Sequence, residues 1–268
     1  MKTMSAEQYL LEGKLALSLD HLQKQIRENP ASPKHRVFLF QLLTVLGQWE
    51  RSLNQLKVAS DLDATNLLMA QTYREAVLCE AFRTEVLAGK RTPLIFGEPQ
   101  PWVVFLVEAL RLDAEGHLQE AKHMRDKSLA TADVVSGKID GVDFNWIADA
   151  DSRLGPVLEV IVNGRYYWIP FQQISNIQIE EPKDLRDVVW MPAQFTWING
   201  GSSSGLIPTR YPGSENSEDS TIKLSRKTEW EEIYEGTFKG FGQRLLTTDV
   251  DEYALMDVRL IEFKSMEE

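Results

Sequence analysis

Gly13-Lys-Leu15-Ala-Leu-Ser18-Leu19, Gly47-Gln-Trp49-Glu-Arg-Ser52-Leu53 and Gly116-His-Leu118-Gln-Glu-Ala121-Lys122 are three copies of one pattern. In each, a large apolar residue stands two places after a glycine and a small residue five places after it. Each copy runs on in helical rhythm for about 17 residues and stops, at Pro30, at Ala64 and at Asp133. Gly13 and Gly47 are 34 residues apart, and Gly47 and Gly116 are 69 apart, close to two such periods. A period of this length is that of stacked helix–turn–helix units. The glycine suits the turn between helices, because a left-handed backbone costs it nothing. The small residue five later lets neighbouring helices approach closely.

Working outward, the periodicity predicts helices over 5–12, 15–29, 33–46, 48–60, 64–88, 101–114 and 117–132. Pro30 and Pro33 punctuate the second turn, and Pro93, Pro99 and Pro101 mark a loop before the sixth helix. The stretch 64–88 reads as one long helix without an internal glycine turn. The array is therefore tetratricopeptide-like rather than regular; an ordinary helical bundle with coincidental spacing is the competing reading. Arrays of this kind hold a peptide or helix on a concave face lined by the first helix of each unit. That face would carry Phe38, Gln41, Leu42 and Val45 in one unit and Trp102, Phe105 and Glu108 in a later one. The bland assignment for the apolar members is core.

After Gly137 the period changes from helical to alternating. Val157–Val162 and Arg165–Ile169 flank Asn163-Gly164, the combination that favours a two-residue type I′ hairpin. Further strands are predicted at Ile174–Ile179, Asp187–Met191, Gln194–Ile198, Gly205–Thr209 and Tyr253–Phe263. The Gly200–Gly205 and Pro212–Asp219 stretches read as polar, mobile loops. Both hairpin strands are apolar on both faces except at Glu159 and Arg165, whereas a solvated sheet would alternate. One face is therefore expected to lie under the helical half. The expected fold class is multidomain α and β. A TPR-like α–α superhelix over 1–135 precedes a mostly antiparallel β-rich domain over 136–268, either a strongly bent sheet or a small barrel.

Charge separates the same two halves. The 268 residues carry a net charge of −11, of which −1 falls in 1–135 and −10 in 136–268. An acidic chain is a poor ligand for a phosphate backbone, so no nucleic acid is expected as partner. Cys79 is the one cysteine, which excludes an internal disulfide and a cysteine-rich zinc module and fits a reducing cytoplasm. The N-terminus lacks an apolar signal region, and the longest apolar stretch, Val37–Leu46, is interrupted by Gln41 and Thr44. It is far shorter than the ~20 residues of a membrane span. A cytoplasmic protein without membrane contact is expected.

Chemical motifs are weak. Gly201-Ser-Ser203-Ser-Gly205 matches a nucleophile-elbow spelling but has no helix after it, and all four histidines lie in the first half. Asp149-Ala-Asp151-Ser-Arg153 starts like a calcium loop, then places Arg153, Leu154 and Val160 where a ligand, a glycine and a glutamate are needed. A capping or ion-pair role at the domain junction suits Asp149, Asp151 and Arg153 better. Gly240-Phe-Gly242-Gln-Arg244 lacks the third glycine of a dinucleotide fingerprint and reads as a bulge or bend. His117 and His123 fall on different helix faces, and Cys79 reads as a small core residue. No catalytic set and no cofactor or metal site is expected.

Trp146-Ile-Ala-Asp-Ala-Asp151-Ser-Arg-Leu-Gly-Pro156 followed by Leu158-Glu-Val160 resembles the signature of the ImpE/TagJ family. So do Asn163–Phe171, Leu185–Ala193, Pro208–Pro212 and Gly240–Arg244, in the family's order. The Leu-Glu-Gly13-Lys-Leu and Gly47-Gln-Trp-Glu-Arg stretches are similar to its helical repeats. The resemblance implies a non-catalytic accessory protein of bacterial type VI secretion. It would bind an N-terminal helix of the small, TssB-like sheath subunit, and through it be linked to the ClpV-like AAA+ ATPase that disassembles the sheath. The signature positions Trp146, Asp149, Asp151, Arg153, Gly155, Trp190 and Arg244 are expected to hold the structure together. The alternative is that the acidic β-rich half docks on a basic protein surface, with the helices as scaffold. A remoter one is an enzyme with its site at the domain junction.

Overall fold

A computed structural model describes residues 4–264. The helices are α1 (Ala6–Leu11), α2 (Leu15–Glu28), α3 (Pro33–Val45), α4 (Trp49–Leu62), α5 (Leu67–Leu87), α6 (Pro101–Glu115) and α7 (Leu118–Thr131). Each follows its predicted span to within a few residues. Ser5 and Gln8 close a capping box on α1, and Ser32 with Pro33 starts α3. The three pattern glycines turn between α1 and α2, α3 and α4, and α6 and α7, with φ of +73° at Gly13, +66° at Gly47 and +81° at Gly116. The small residues that follow, Ser18, Ser52 and Ala121, are fully buried where the paired helices meet. Ser18 also donates its hydroxyl to the Ala6 carbonyl at 2.8 Å, tying α2 to α1.

The strands are β1 (Leu94–Ile95), β2 (Gly137–Ile139), β3 (Val142–Phe144), β4 (Ile147–Asp149), β5 (Val157–Val162), β6 (Arg165–Pro170), β7 (Ile174–Ile179), β8 (Trp190–Trp197), β9 (Ser202–Pro208), β10 (Thr228–Tyr234), β11 (Thr237–Gly242), β12 (Leu245–Thr248), β13 (Glu252–Ala254) and β14 (Leu260–Phe263). A single-turn helix, α8 (Ser220–Lys223), precedes β10. The main sheet runs β1-β6-β5-β9-β8-β7-β14-β2-β3, with a β10-β11 ribbon and a β13-β12-β4 sheet beside it. Among the described residues the main sheet has two free ends, β1 and β3, so it does not close into the barrel that was one of the expected folds. All its pairings are antiparallel except β1 with β6, where the loop after α5 adds a two-residue strand that sequence reading left as loop.

The predicted hairpin is β5–β6, with Asn163 and Gly164 at φ +50° and +70° as a type I′ turn requires. Three other expectations are corrected. The two predicted strands around Pro192 are one, β8. The Pro192 carbonyl accepts from Glu180 N at the end of β7, so the donor that proline lacks falls where the ladder stops. Ser202–Ser204 are not loop but strand, paired with Gln194–Thr196. Tyr253–Phe263 is two short strands, β13 and β14, in different sheets.

Alternate residues of β5 face opposite cores. Val157 and Ile161 join Tyr166, Trp168, Trp190 and Leu206 against the helical half, together with Phe40, Leu43, Val77 and Leu106. Leu158, Val160 and Val162 join Ile169, Ile177, Met191, Phe195 and Ile207 in a second core, closed by Ile147, Leu246 and Leu255. The sheet is buried on both faces, and helices cover one of them, as its non-alternating hairpin required.

Candidate functional site

Glu159 is the one polar side chain that β5 sends toward the helices, and it is wholly buried. A carboxylate there must be paired, because its desolvation is otherwise prohibitive. Arg83 from α5 supplies a two-point bond, Nε to Oε1 and Nη2 to Oε2, both at 2.8 Å. Arg244 adds Nη2 to Oε2, and the Tyr166 hydroxyl donates to Oε1. Arg244 in turn bonds Asp149 through Nη1, and Asp149 Oδ1 accepts from Tyr211 at 2.9 Å. Beside this chain Arg153 clamps Asp151 with Nε to Oδ1 at 2.9 Å and Nη2 to Oδ2 at 2.6 Å. Trp190 Nε1 donates to Glu80 Oε1 at 2.8 Å. Arg210 donates to the Thr44 and Val45 carbonyls at 2.9 and 2.8 Å, a cation on the carbonyl end of α3.

Opposing forces set the protonation states. Burial alone would raise the Glu159 carboxyl, but Arg83 and Arg244 outweigh it and hold it far below the usual carboxylate range. Asp149 faces one arginine, not two, so burial wins and lifts it to about 6, helped by Asp151 and Glu159. Burial also pushes the Cys79 thiol to about 12, so it stays protonated at neutral pH. Every carboxylate oxygen of Asp149 and Glu159 is occupied by a protein donor. The cluster has the chemistry of a clamp between helices and sheet.

The open concave surface lies elsewhere. Phe38 and Gln41 of α3, with Leu10, Val37 and Leu185, line a groove of about 600 Å³, with Glu7, Lys34 and Asp63 also along it. Of the other residues predicted on the concave face, Leu42 and Val45 are fully buried and Trp102 nearly so, all three in the core shared with the sheet. Phe105 lies under the Lys127 ammonium, 4.0 Å from its ring centre, and Glu108 pairs with Arg111. The groove is lined by α3 residues and by none of the α6 stripe.

The ImpE family model matches residues 141–262, the stretch that supplies most strands of the sheet and most of the buried charges. The type VI secretion system accessory component TagJ of Pseudomonas aeruginosa is 49% identical over 261 residues, which cover 97% of this chain and 92% of that protein. This chain belongs to the ImpE/TagJ family. The crystal structure of a Vibrio parahaemolyticus protein has the same fold, with a TM-score of 0.88 at 23% identity and 98% of each chain covered.

Within this ImpE/TagJ chain the signature residues fall into three places. Asp149, Asp151, Arg153, Trp190 and Arg244 are buried in or beside the charged clamp. Gly155 takes φ +55° in the turn before β5, with Leu129 of α7 packed against it. Trp146 alone is open, at 39% exposure, on the rim of a cavity of about 350 Å³ shared with Leu129, Val134 and Gly155. Sequence reading missed Arg83, and it gave no site role to Arg210, Tyr211 and Leu185, although they lie in the family-like stretches Pro208–Pro212 and Leu185–Ala193. Glu159 was noticed as the polar interruption of an apolar strand, and that interruption was the signal that a buried cation faced it. Arg83 carried no such signal, since a lone arginine in a helix is ordinarily solvated.

Proposed function

We propose that this protein is a non-catalytic accessory component of a type VI secretion system. It holds an amphipathic helix from the N-terminus of the small sheath subunit and so connects the sheath to its AAA+ disassembly ATPase. The groove of about 600 Å³ carries this reading. Phe38, Leu10, Val37 and Leu185 offer an apolar floor, and charges of both signs beside them suit a helix with one apolar and one polar face. The helix pairs α1/α2, α3/α4 and α6/α7 are read as TPR-like units whose first repeats form the groove. The family relationship to TagJ, a type VI accessory component, supports the system assigned.

Pull-down with the small sheath subunit, with and without its first ~20 residues (a helix of ~30 Å), tests the capture. Loss of binding on truncation is expected; equal binding by both, or none by either, refutes it. Phe38→Ala and Leu185→Ala should each weaken binding at least about tenfold, a loss of about 1.4 kcal/mol. Phe105→Ala should leave it unchanged. We further propose that residues 1–135 and 136–268, whose facing surfaces share one core, move as a rigid pair. Limited proteolysis yielding two stable fragments near residue 137 would refute that.

A further inference from the structure

The β10-β11 ribbon has one covered edge and one open edge. On β11, the outward N–H groups are all used: Phe238 donates to Ser152 Oγ at 3.1 Å, Gly240 to Asp151 Oδ2 at 3.0 Å and Gly242 to Ser214 Oγ at 2.8 Å. Their register partners on β10 are Glu232, Trp230 and Thr228, whose backbone groups therefore point away from β11. Among the described residues no backbone or side-chain group bonds them. At seven residues β10 is the longest strand at a free edge among the described residues. The ends of the other sheets, β1, β3, β4 and β13, have two or three residues each.

An unpaired strand edge is a template for another strand, and proteins that do not use it blunt it by shortening, twisting or charging it. Here the bulge at Ile233 ends the flat run, leaving Thr228–Glu232 open. The charge is net negative. Glu229, Glu231, Glu232 and Glu235 stand against Lys227 and Lys239, four acids to two bases. Lys239 pairs Glu231 at 2.9 Å and Lys227 pairs Glu229, so the excess rests on Glu232 and Glu235. Beside them Trp230 and Phe238 are 38% and 39% exposed. Antiparallel pairing with a second copy would set these glutamates opposite one another, which is unfavourable. A lysine- or arginine-bearing strand would meet complementary charge and two aromatic faces.

We infer that β10 is a docking edge for an extended basic segment of a protein partner, which adds as a strand alongside Thr228–Glu232. Main-chain bonds to Trp230 and Glu232 give the attachment, and the glutamates select charge. This edge is independent of the α1–α3 groove, and either can fail without the other.

The test uses the full chain, an eight-residue peptide alternating lysine and valine, and hydrogen exchange resolved at single amides. The Trp230 and Glu232 amides should exchange at least about tenfold more slowly with saturating peptide, and the protection should weaken as salt rises. A peptide of the same charge, N-methylated at alternate residues, should fail to protect, because it cannot complete the ladder. The exposed triple variant Glu229→Lys, Glu231→Lys, Glu232→Lys should lose the peptide while keeping the wild-type circular dichroism spectrum and melting transition. Unchanged exchange at Trp230 and Glu232, or equal protection by the N-methylated peptide, overturns the inference. So does retention of the peptide by the folded triple variant.

Discussion

The two faces of the main sheet are built from alternate residues of the same strands, yet they are held in opposite ways. The face away from the helices is aliphatic and aromatic throughout, from Leu158 and Val160 to Met191, Phe195 and Ile207. The face toward the helices carries Glu159 at its centre, bound to Arg83 across the interface and to Arg244 within the β-rich half. Apolar packing is indifferent to small rotations of one layer on another. A two-point guanidinium–carboxylate bond is not. The helical layer therefore has one seating on the sheet, fixed where α5 crosses β5 and where Arg210 caps α3. A buried ion pair of this kind serves position more than stability.

Removing one partner from each face breaks the comparison most directly. Glu159→Ala leaves two arginines buried beside a void and should cost about 3–5 kcal/mol in urea unfolding. Ile177→Val on the apolar face should cost only about 0.5–1.5 kcal/mol. If Arg83, Glu159, Arg244 and Asp149 are replaced together by Met, Leu, Met and Asn, so that the partner of Arg244 loses its charge as well, most of the loss should return, as removal of a whole ionic cluster allows. A quadruple variant as unstable as Glu159→Ala would mean that the cluster itself supplies the stability.

The pH dependence of the two carboxylates is the next effect in size, and its sign differs between them. Asp149 binds its proton more tightly folded than unfolded, with a value raised from 3.8 to about 6. Between those values the folded protein keeps a proton that the unfolded chain has released, so this group lowers stability as pH rises from about 4 to 6. Relative to Asp149→Asn, the wild type should lose roughly 2 kcal/mol over that interval, because each tenfold difference in proton affinity is worth about 1.4 kcal/mol and the change levels off near both ends. Glu159 is lowered, so its contribution is complete above its free value of 4.5 and fades as pH falls through and below it. Unfolding curves at several pH values between about 2 and 7 check both signs, Asp149 in the upper part of that range and Glu159 in the lower. A difference between wild type and Asp149→Asn that does not vary with pH contradicts the assignment.

A third effect sharpens the clamp's outer boundary. An added Cβ at Gly240 would lie 2.3 Å from Tyr211 Cδ2, and Tyr211 is fully buried and bonded to Asp149. Gly240→Ala should cost about 1–3 kcal/mol by overpacking, read as a lower melting temperature. Gly240 thus marks a close ring-on-backbone approach inside β11, while Gly242, at φ +84° where β11 ends before β12, takes the bend that the spacing had implied.

The helices were legible because their signals are local. Gly13, Gly47 and Gly116 need a positive φ whatever surrounds them, and caps such as Ser5 and Ser32 act within one turn. Asn163-Gly164 set the hairpin for the same reason. The β10-β11 ribbon was not foreseen, because Glu229-Trp-Glu-Glu232 is a poor strand by propensity and is held by pairing with β11. Three of the seven residues predicted for the concave stripe lie in the core instead. Leu42, Val45 and Trp102 do lie on one helical face each, but only the arrival of the sheet decides whether that face meets solvent or core.

By itself the sequence determined which segments are helices, where their turns fall, that the hairpin is covered on both sides and which family the chain resembles. Each of these depends on residues within a few positions or on the composition of one strand. Tertiary structure alone decided that Glu159 meets Arg83 and Arg244, that Arg210 caps α3, that Leu185 completes the groove and that β10 is left with a free edge. Those contacts join residues far apart in the chain. Desolvation and charge pairing act on whatever the fold brings together, and no local pattern of residues records that meeting.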